Sequence, residues 1–407
     1  MDYNIQDKQV HIVNLAVCAS LKAFGEYSNK NLTCRRDIVA AIRTKLRPYL
    51  QEIAEREYAE TCMGNVRDKI IKLVLALDKT PGVEDLVTEV VTGDCGMTLH
   101  EQSPYGVVLA IYPATNPCAT MINNVIGMLA AGNSVISIPN PRCMETSLFL
   151  SEKINEAVRE VSGIDNLVIT LPEVRGELVT EIINHPDISL VVATGGRKMM
   201  SQVLYSPKRV IAGGPANPVA IVDETADLPK AAKDIVDGAS FDNNIMCISE
   251  KCIVAVESIL PEFVKHLEQN GVYYIDNEQE MLQITRTVLN HDMKMVRKME
   301  GKNAMDILRE AGICPNRDIR LVVVRTFEKH PLVLEECLMP VVPLVAAADF
   351  EEALATAMFA EQGYRHTAML HSQRIDRLNR AAKMMKTTLF IKNGSSLAGI
   401  GLDGEEK

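Results

Sequence analysis

The chain has 407 residues, too many for one small core, and 47% of them are hydrophobic, enough to bury two or three units. Its formal net charge of −10 argues against nucleic acid or an anionic membrane as partner, since both want basic surface. No run of about 18 apolar residues offers a membrane span, and the start, MDYNIQDKQVHIVNLAVCAS, lacks the basic and apolar regions of an export signal.

Residues 1 to 80 predict helices: Ile38, Ile42, Leu46 and Leu50 recur at helical spacing, and Pro48 marks a kink or break. Residues 86 to 104 place two alternating stretches around TGDCG, the pattern of a β-hairpin. Strands and helices then alternate. GVVLAIYP, NSVISIP, NLVITLP, ISLVVAT, RVIAGG and PVAIVDE read as strands; NPCATMINNVIGMLAAG, METSLFLSEKINEAVREVSG, GELVTEIINHP and GGRKMMSQVLYS read as helices. This implies a mostly parallel sheet covered on both faces, with ligands at the carboxyl ends of its strands. A second series begins with the helix LPKAAKDIVDGASF and continues through the strand KCIVAVES, the helix LPEFVKHLEQNG, the strand IRLVVVRT, and VPLVAAAD, FEEALATAMFAEQ and HTAMLHS.

Ten cysteines are scattered with no C-x-x-C pair, so a structural zinc site is not expected, and most read as small core residues. Cys247, in SFDNNIMCISEK, lies between a helix and a strand, outside any periodic face. It is either a nucleophile, if local charges favour its thiolate, or a packed thiol. Asn116, where GVVLAIYP passes into a helix, is either a hydrogen-bond donor to a developing oxyanion or a helix cap. Thr194, Gly195 and Gly196 form a strand–turn–helix junction that suits phosphate, although not the G-x-G-x-x-G pattern. Glu336, in EECLMPVVP, could bind ribose hydroxyls or be merely solvated.

Taken together and in this order, KTPGVEDL, TGDCGMTL, ATNPCATMINN, AAGNSVI, ETADLPKAAKDIVDGASFDNNIMC, EECLMPVVP, HTAMLHS and KNGSSLAGIGL resemble the aldehyde dehydrogenase superfamily. The closer resemblance is to its CoA-acylating branch, the propionaldehyde and acetaldehyde dehydrogenases of propanediol and ethanolamine utilisation. The resemblance implies an α/β fold with a Rossmann-type cofactor domain (1–85 and 105–238), a bridging hairpin (86–104), an α/β catalytic domain (239–390) and a C-terminal segment (391–407). It implies Cys247 as nucleophile, with Asn116 and the Cys247 backbone amide as oxyanion donors. Pro139 and Asn140 would border the adenosine of NAD, Thr194, Gly195 and Gly196 would meet the cofactor, and Glu336 would hold the nicotinamide ribose. Hydrolytic relatives carry a glutamate before a Gly-Gly turn; here RVIAGG has Ile211 and Ala212, which favours release of the acyl group to coenzyme A over water.

The implied reaction is oxidation of a short-chain aldehyde to its acyl-CoA with NAD, in the cytoplasm or a microcompartment lumen. The alternatives are a poorly active truncated paralogue serving as partner subunit and a hydrolytic aldehyde dehydrogenase. Relatives continue beyond the glycine-rich turn, where this chain has GLDGEEK; without that tail the hairpin lacks a partner strand, and a dimer is expected over a tetramer. Residues 10 to 25 read as a core helix, with no encapsulation peptide before them.

Overall fold

The computed structural model describes residues 3–172 and 176–402. They fall into two compact units, Met1–Thr61 with Lys69–Gly214, and Cys62–Asp68 with Pro215–Lys407.

The first unit opens with α1 (Tyr3–Tyr27), α2 (Leu32–Leu46), α3 (Leu50–Thr61) and α4 (Val66–Lys79). As expected, Pro48 ends α2, within a short 3-10 turn at Arg47–Tyr49. The hairpin of β1 (Glu89–Gly93) and β2 (Gly96–His100) is antiparallel, Val90 facing Leu99 and Thr92 facing Met97. Then come β3 (Val107–Ile111), α5 (Pro117–Ala130), β4 (Ser134–Ile138), α6 (Met144–Ser162), β5 (Val168–Thr170), α7 (Gly176–Asn184), β6 (Ile188–Thr194), α8 (Arg197–Leu204) and β7 (Arg209–Gly213). The five strands β3 to β7 form a parallel sheet in the order β5-β4-β3-β6-β7. Residues 107 to 111 and 134 to 138 are buried throughout, as a strand covered on both faces requires. On one face Val13 and Val17 of α1 pack with Leu178 and Ile182 of α7 against Leu109, Ile136 and Val191.

The second unit is a seven-stranded parallel sheet. Its elements are β8 (Val219–Val222), α9 (Leu228–Ser240), β9 (Cys252–Val256), α10 (Leu260–Gln269), β10 (Val272–Ile275), α11 (Glu278–Val288), α12 (Ala304–Glu310), β11 (Leu321–Thr326), α13 (Pro331–Leu334), β12 (Val341–Ala347), α14 (Phe350–Glu361), β13 (Thr367–His371), α15 (Ile375–Met385) and β14 (Leu389–Lys392). The strand order is β10-β11-β12-β9-β8-β13-β14. Strand alternation divides the core: Ala220, Ile253 and Ala255 face Ile235 of α9 and Phe263 of α10, while Val219, Cys252 and Val254 face Leu354 and Ala357 of α14.

Four expectations change. The boundary expected after residue 238 falls at Gly214/Pro215, because β8 pairs with β9 and β13 and brings α9 with it. Residues 62–68 likewise group with the second unit, and β14 continues past the expected end at 390. Only Cys118, Cys143, Cys252 and Cys337 of the ten cysteines are buried, so most are not core residues. Of the C-terminal segment, 403–407 lie outside the described residues.

Candidate active site

The nucleophile candidate sits in a turn held by unusual backbone. Asp242, Asn243 and Asn244 all have positive φ (44, 55 and 61°). This left-handed conformation costs roughly 1–2 kcal/mol per residue, least for Asp and Asn. Hydrogen bonds offset it. Asp242 Oδ1 accepts from Asn65 N at 2.7 Å, and Asp242 N donates to Asp68 Oδ2 at 2.8 Å. Asn243 Nδ2 donates to Gly301 O at 2.9 Å and Asn303 Oδ1 at 3.0 Å, and lies 3.2 Å from Gly64 O. Asn244 Nδ2 donates to Glu250 O at 3.0 Å. Gly64 must be glycine: its φ is +70°, and a Cβ would lie 1.9 Å from Asp242 Oδ1.

The result is selective exposure. From Asp242 to Val256 every residue is buried except Cys247, which is half-buried beside Met246, Ile248 and Leu397. Cys252 and Cys337, by contrast, are enclosed, and burial pushes both thiols up to about 12.

Sheet order gathers charge around this turn. Cys247 precedes β9, Glu336 precedes β12 and His366 precedes β13, and β12-β9-β8-β13 are consecutive neighbours. These residues therefore collect at the amino-terminal end of this second sheet. Lys251 is buried among them and donates to Asn244 Oδ1 at 2.6 Å and to Asn244 O. Burial pulls its ammonium down to about 8, against the opposing pull of charge on Glu336 and Cys247. Glu250 is pushed up to about 7, burial outweighing its bonds from Ser396 N at 2.9 Å and Ser396 Oγ at 2.8 Å. His366 is held below the usual imidazole range, by burial first and then by Lys251. Lys251 and His366 were not singled out from sequence; the one visible signal was the acid–base pair Glu250–Lys251 beside Cys247.

In the first unit, the other candidates lie on the carboxyl side of three neighbouring strands. Ile111 of β3 is in register with Ile138 of β4 and Ala193 of β6. Just beyond them come Asn116, Pro139 with Asn140, and Thr194 to Gly196. Chain order departs in opposite directions from β3, so the gap between β3 and β6 is a topological switch point, the usual ligand crevice of such sheets. Asn140 Oδ1 accepts from Arg142 N at 3.1 Å and shapes the turn after β4. Gly195 N donates to Gly213 O at 3.1 Å. Gly196 is the N-cap of α8 with no side-chain cap, and nothing stands within 4 Å of where its Cβ would be. A helix start without a side-chain cap, beside open space, suits a phosphate-bearing cofactor. Asn116 occupies the N-cap position of α5 but makes no capping bond, so the cap reading does not hold. Ile211, on edge strand β7, is apolar and 61% exposed.

Comparison with known proteins shows the family. The aldehyde dehydrogenase family pattern matches residues 3–400. The CoA-propanoylating propanal dehydrogenase of Salmonella typhimurium is 43% identical over 397 residues, 97% of this chain and 84% of the relative. The acetylating acetaldehyde dehydrogenase of the same organism is 40% identical, over 96% of this chain and 84% of its own length. The crystal structure of Rhodopseudomonas palustris propionaldehyde dehydrogenase with bound propionyl-CoA superposes with a TM-score of 0.94 at 40% identity, covering 97% of this chain and 87% of that one. A nucleotide-type sheet, a second sheet with a half-buried cysteine in an otherwise buried turn, and similarity over nearly the whole length converge: the chain belongs to the aldehyde dehydrogenase family, within its CoA-acylating branch.

Proposed function

We propose that the protein oxidises a short-chain aldehyde, propionaldehyde or acetaldehyde, to its acyl-CoA by way of a thioester on Cys247. The observation that carries the reading is the exposure of Cys247 alone within an otherwise buried stretch, beside a buried lysine. Positive charge near a thiol favours its ionised, nucleophilic form.

In this reading Cys247 Sγ adds to the aldehyde carbon, and the carbonyl oxygen becomes an oxyanion that receives a hydrogen bond from Asn116 Nδ2. Re-formation of the carbonyl leaves an acyl group on Sγ. When bound, NAD takes up the hydride that departs, and coenzyme A supplies the thiol that takes up the acyl group. Thr194, Gly195 and Gly196 would present backbone to the cofactor phosphates, Pro139 and Asn140 would flank its adenosine, and Glu336 would accept from ribose hydroxyls. At the position where hydrolytic relatives carry their glutamate, Ile211 can take no proton from water, so the acyl group waits for a nucleophile that ionises by itself.

We further infer a homo-oligomer. One hairpin face presents Val90, Met97 and Leu99, each 52–69% exposed, an apolar surface of the kind subunits cover. Among the described residues no helix is long and apolar enough to cross a membrane; the setting we favour is the cytoplasm, with a microcompartment lumen as the alternative.

The deciding experiment follows NADH from propionaldehyde and NAD with and without CoA. Sustained turnover only with CoA is expected. Equal rates without CoA would turn the reading to hydrolysis, and no turnover by the folded protein would turn it to a non-catalytic subunit.

A further inference from the structure

Asn116 stands where an asparagine ordinarily caps a helix, its Oδ1 bonded to the amide two or three residues on. Here those bonds are made differently. Cys118, the second residue of α5, donates its amide to Glu57 Oε2 at 3.4 Å. Glu57 is 2% exposed, and its Oε1 accepts from Lys69 Nζ at 2.8 Å; Lys69 is 1% exposed. A carboxylate thus serves the positive end of α5, and a buried cation balances it. One turn further along α4 lies Lys72, 5% exposed, whose Nζ donates to Asn116 Oδ1. Asn116 Nδ2 makes a long contact of 3.4 Å to Thr115 Oγ1.

We propose that Lys72 is the positioning residue of the oxyanion site: its ammonium holds Asn116 Oδ1 and so presents Nδ2 as the donor. This rests on the role proposed for Asn116. An amide side chain is nearly symmetric in shape and can turn either end outward. An ammonium has three donors and no acceptor, so it binds only the oxygen end. With Oδ1 outward, the amide would repel an oxyanion; with Oδ1 held, it can only donate. The buried charge also draws electron density toward Oδ1, making Nδ2–H a stronger donor and adding positive potential where negative charge develops. The two lysines divide the work: Lys69, through Glu57, satisfies the helix backbone, and Lys72 frees the asparagine from capping.

The test is a double-mutant cycle on the full-length enzyme, with NADH formation at saturating CoA as readout. Lys72→Met should lower kcat about tenfold to a hundredfold, bounded by the roughly hundredfold or greater loss from removing an oxyanion donor, with the KM for NAD unchanged. Lys72→Met combined with Asn116→Ala should be no slower than Asn116→Ala alone. Lys72→Gln keeps a donor to Oδ1 without the charge and should fall between wild type and Lys72→Met; if the methionine variant does not fold, the cycle is run with glutamine. Labelling of Cys247 by iodoacetamide, a displacement that forms no oxyanion, should proceed at the wild-type rate in every variant. Losses that multiply in the double variant, slowed labelling, or a wild-type kcat for Lys72→Met beside a slow Asn116→Ala would each overturn the inference. A wild-type rate for Asn116→Ala would instead remove the underlying role of Asn116, and the inference with it.

Discussion

Replacing Glu250 with glutamine should change how the stability of the second unit depends on pH. Glu250 is fully buried, and its carboxyl is raised from 4.5 to about 7. A carboxyl whose folded value lies above its unfolded one holds its proton more tightly in the native state. The stability it contributes is complete below about 4.5 and is lost as pH rises through about 7. At about 1.4 kcal/mol per pH unit this amounts to about 3 kcal/mol, of which roughly 2 fall between pH 5 and 7.5. Glutamine is nearly isosteric. Its Oε1 can still accept from Ser396 N, and its Nε2 can donate to Ser396 Oγ, in place of two hydrogen bonds that the Glu250 carboxylate accepts. The variant should therefore gain on wild type with rising pH, by about 4–8 °C in melting temperature for a unit of this size. Lys251, pulled down to about 8, titrates above this window and leaves it clear. The assay is a thermal melt of both proteins at half-unit steps from pH 5 to 7.5. Parallel curves would refute the reasoning and would mean that the carboxyl ionises in the folded protein as it does in water.

Asn243→Ala removes the donor to Gly301 O and Asn303 Oδ1 and puts alanine at a φ of 55°. It should cost about 2–4 kcal/mol, read from denaturant midpoints, and a loss under about 0.5 would mean the turn is held otherwise. Glu336→Gln should lower kcat and raise the KM for NAD while sparing the KM for aldehyde, because an amide accepts from ribose less strongly than a carboxylate; unchanged NAD kinetics would remove the ribose assignment. Val90→Lys with Leu99→Lys puts two charges on the apolar face of the hairpin. The mass seen by light scattering should then fall, and an unchanged mass would place the subunit contact elsewhere.

Elements with a strong local period were legible in the sequence. The buried runs at 107–111 and 134–138, the helix ending in Gly132 and the hairpin around Asp94 all lie where their patterns place them. The stretch from 272 to 318 was unassigned: β10 is only four residues long and α12 seven, too short for a period to show, while α11, at eleven residues, was long enough and was missed. Both α15 and β14 were missed as well. The misplaced boundary has a different cause. A strand–helix alternation that runs through Gly214 without a break bears no mark of which sheet the next strand joins, since pairing is decided by partners far away in sequence, here Cys252 and Ala368.

The site divides along the same line. Asp-Asn-Asn before Cys247 is a composition that tolerates left-handed backbone, and the thiol stands outside any periodic face; both are local properties, and sequence alone determined them, along with the family. Folding decided that Cys247 alone is left uncovered between Asp242 and Val256, that Glu336 and His366 reach the same end of the sheet, that Lys251 is buried among them, and that Lys72 rather than a helix amide engages Asn116. The physical reason is that burial and charge act through space. The energy of an ammonium or a carboxylate depends on how much water and which partners surround it, and those neighbours come from strands and helices dozens of residues away.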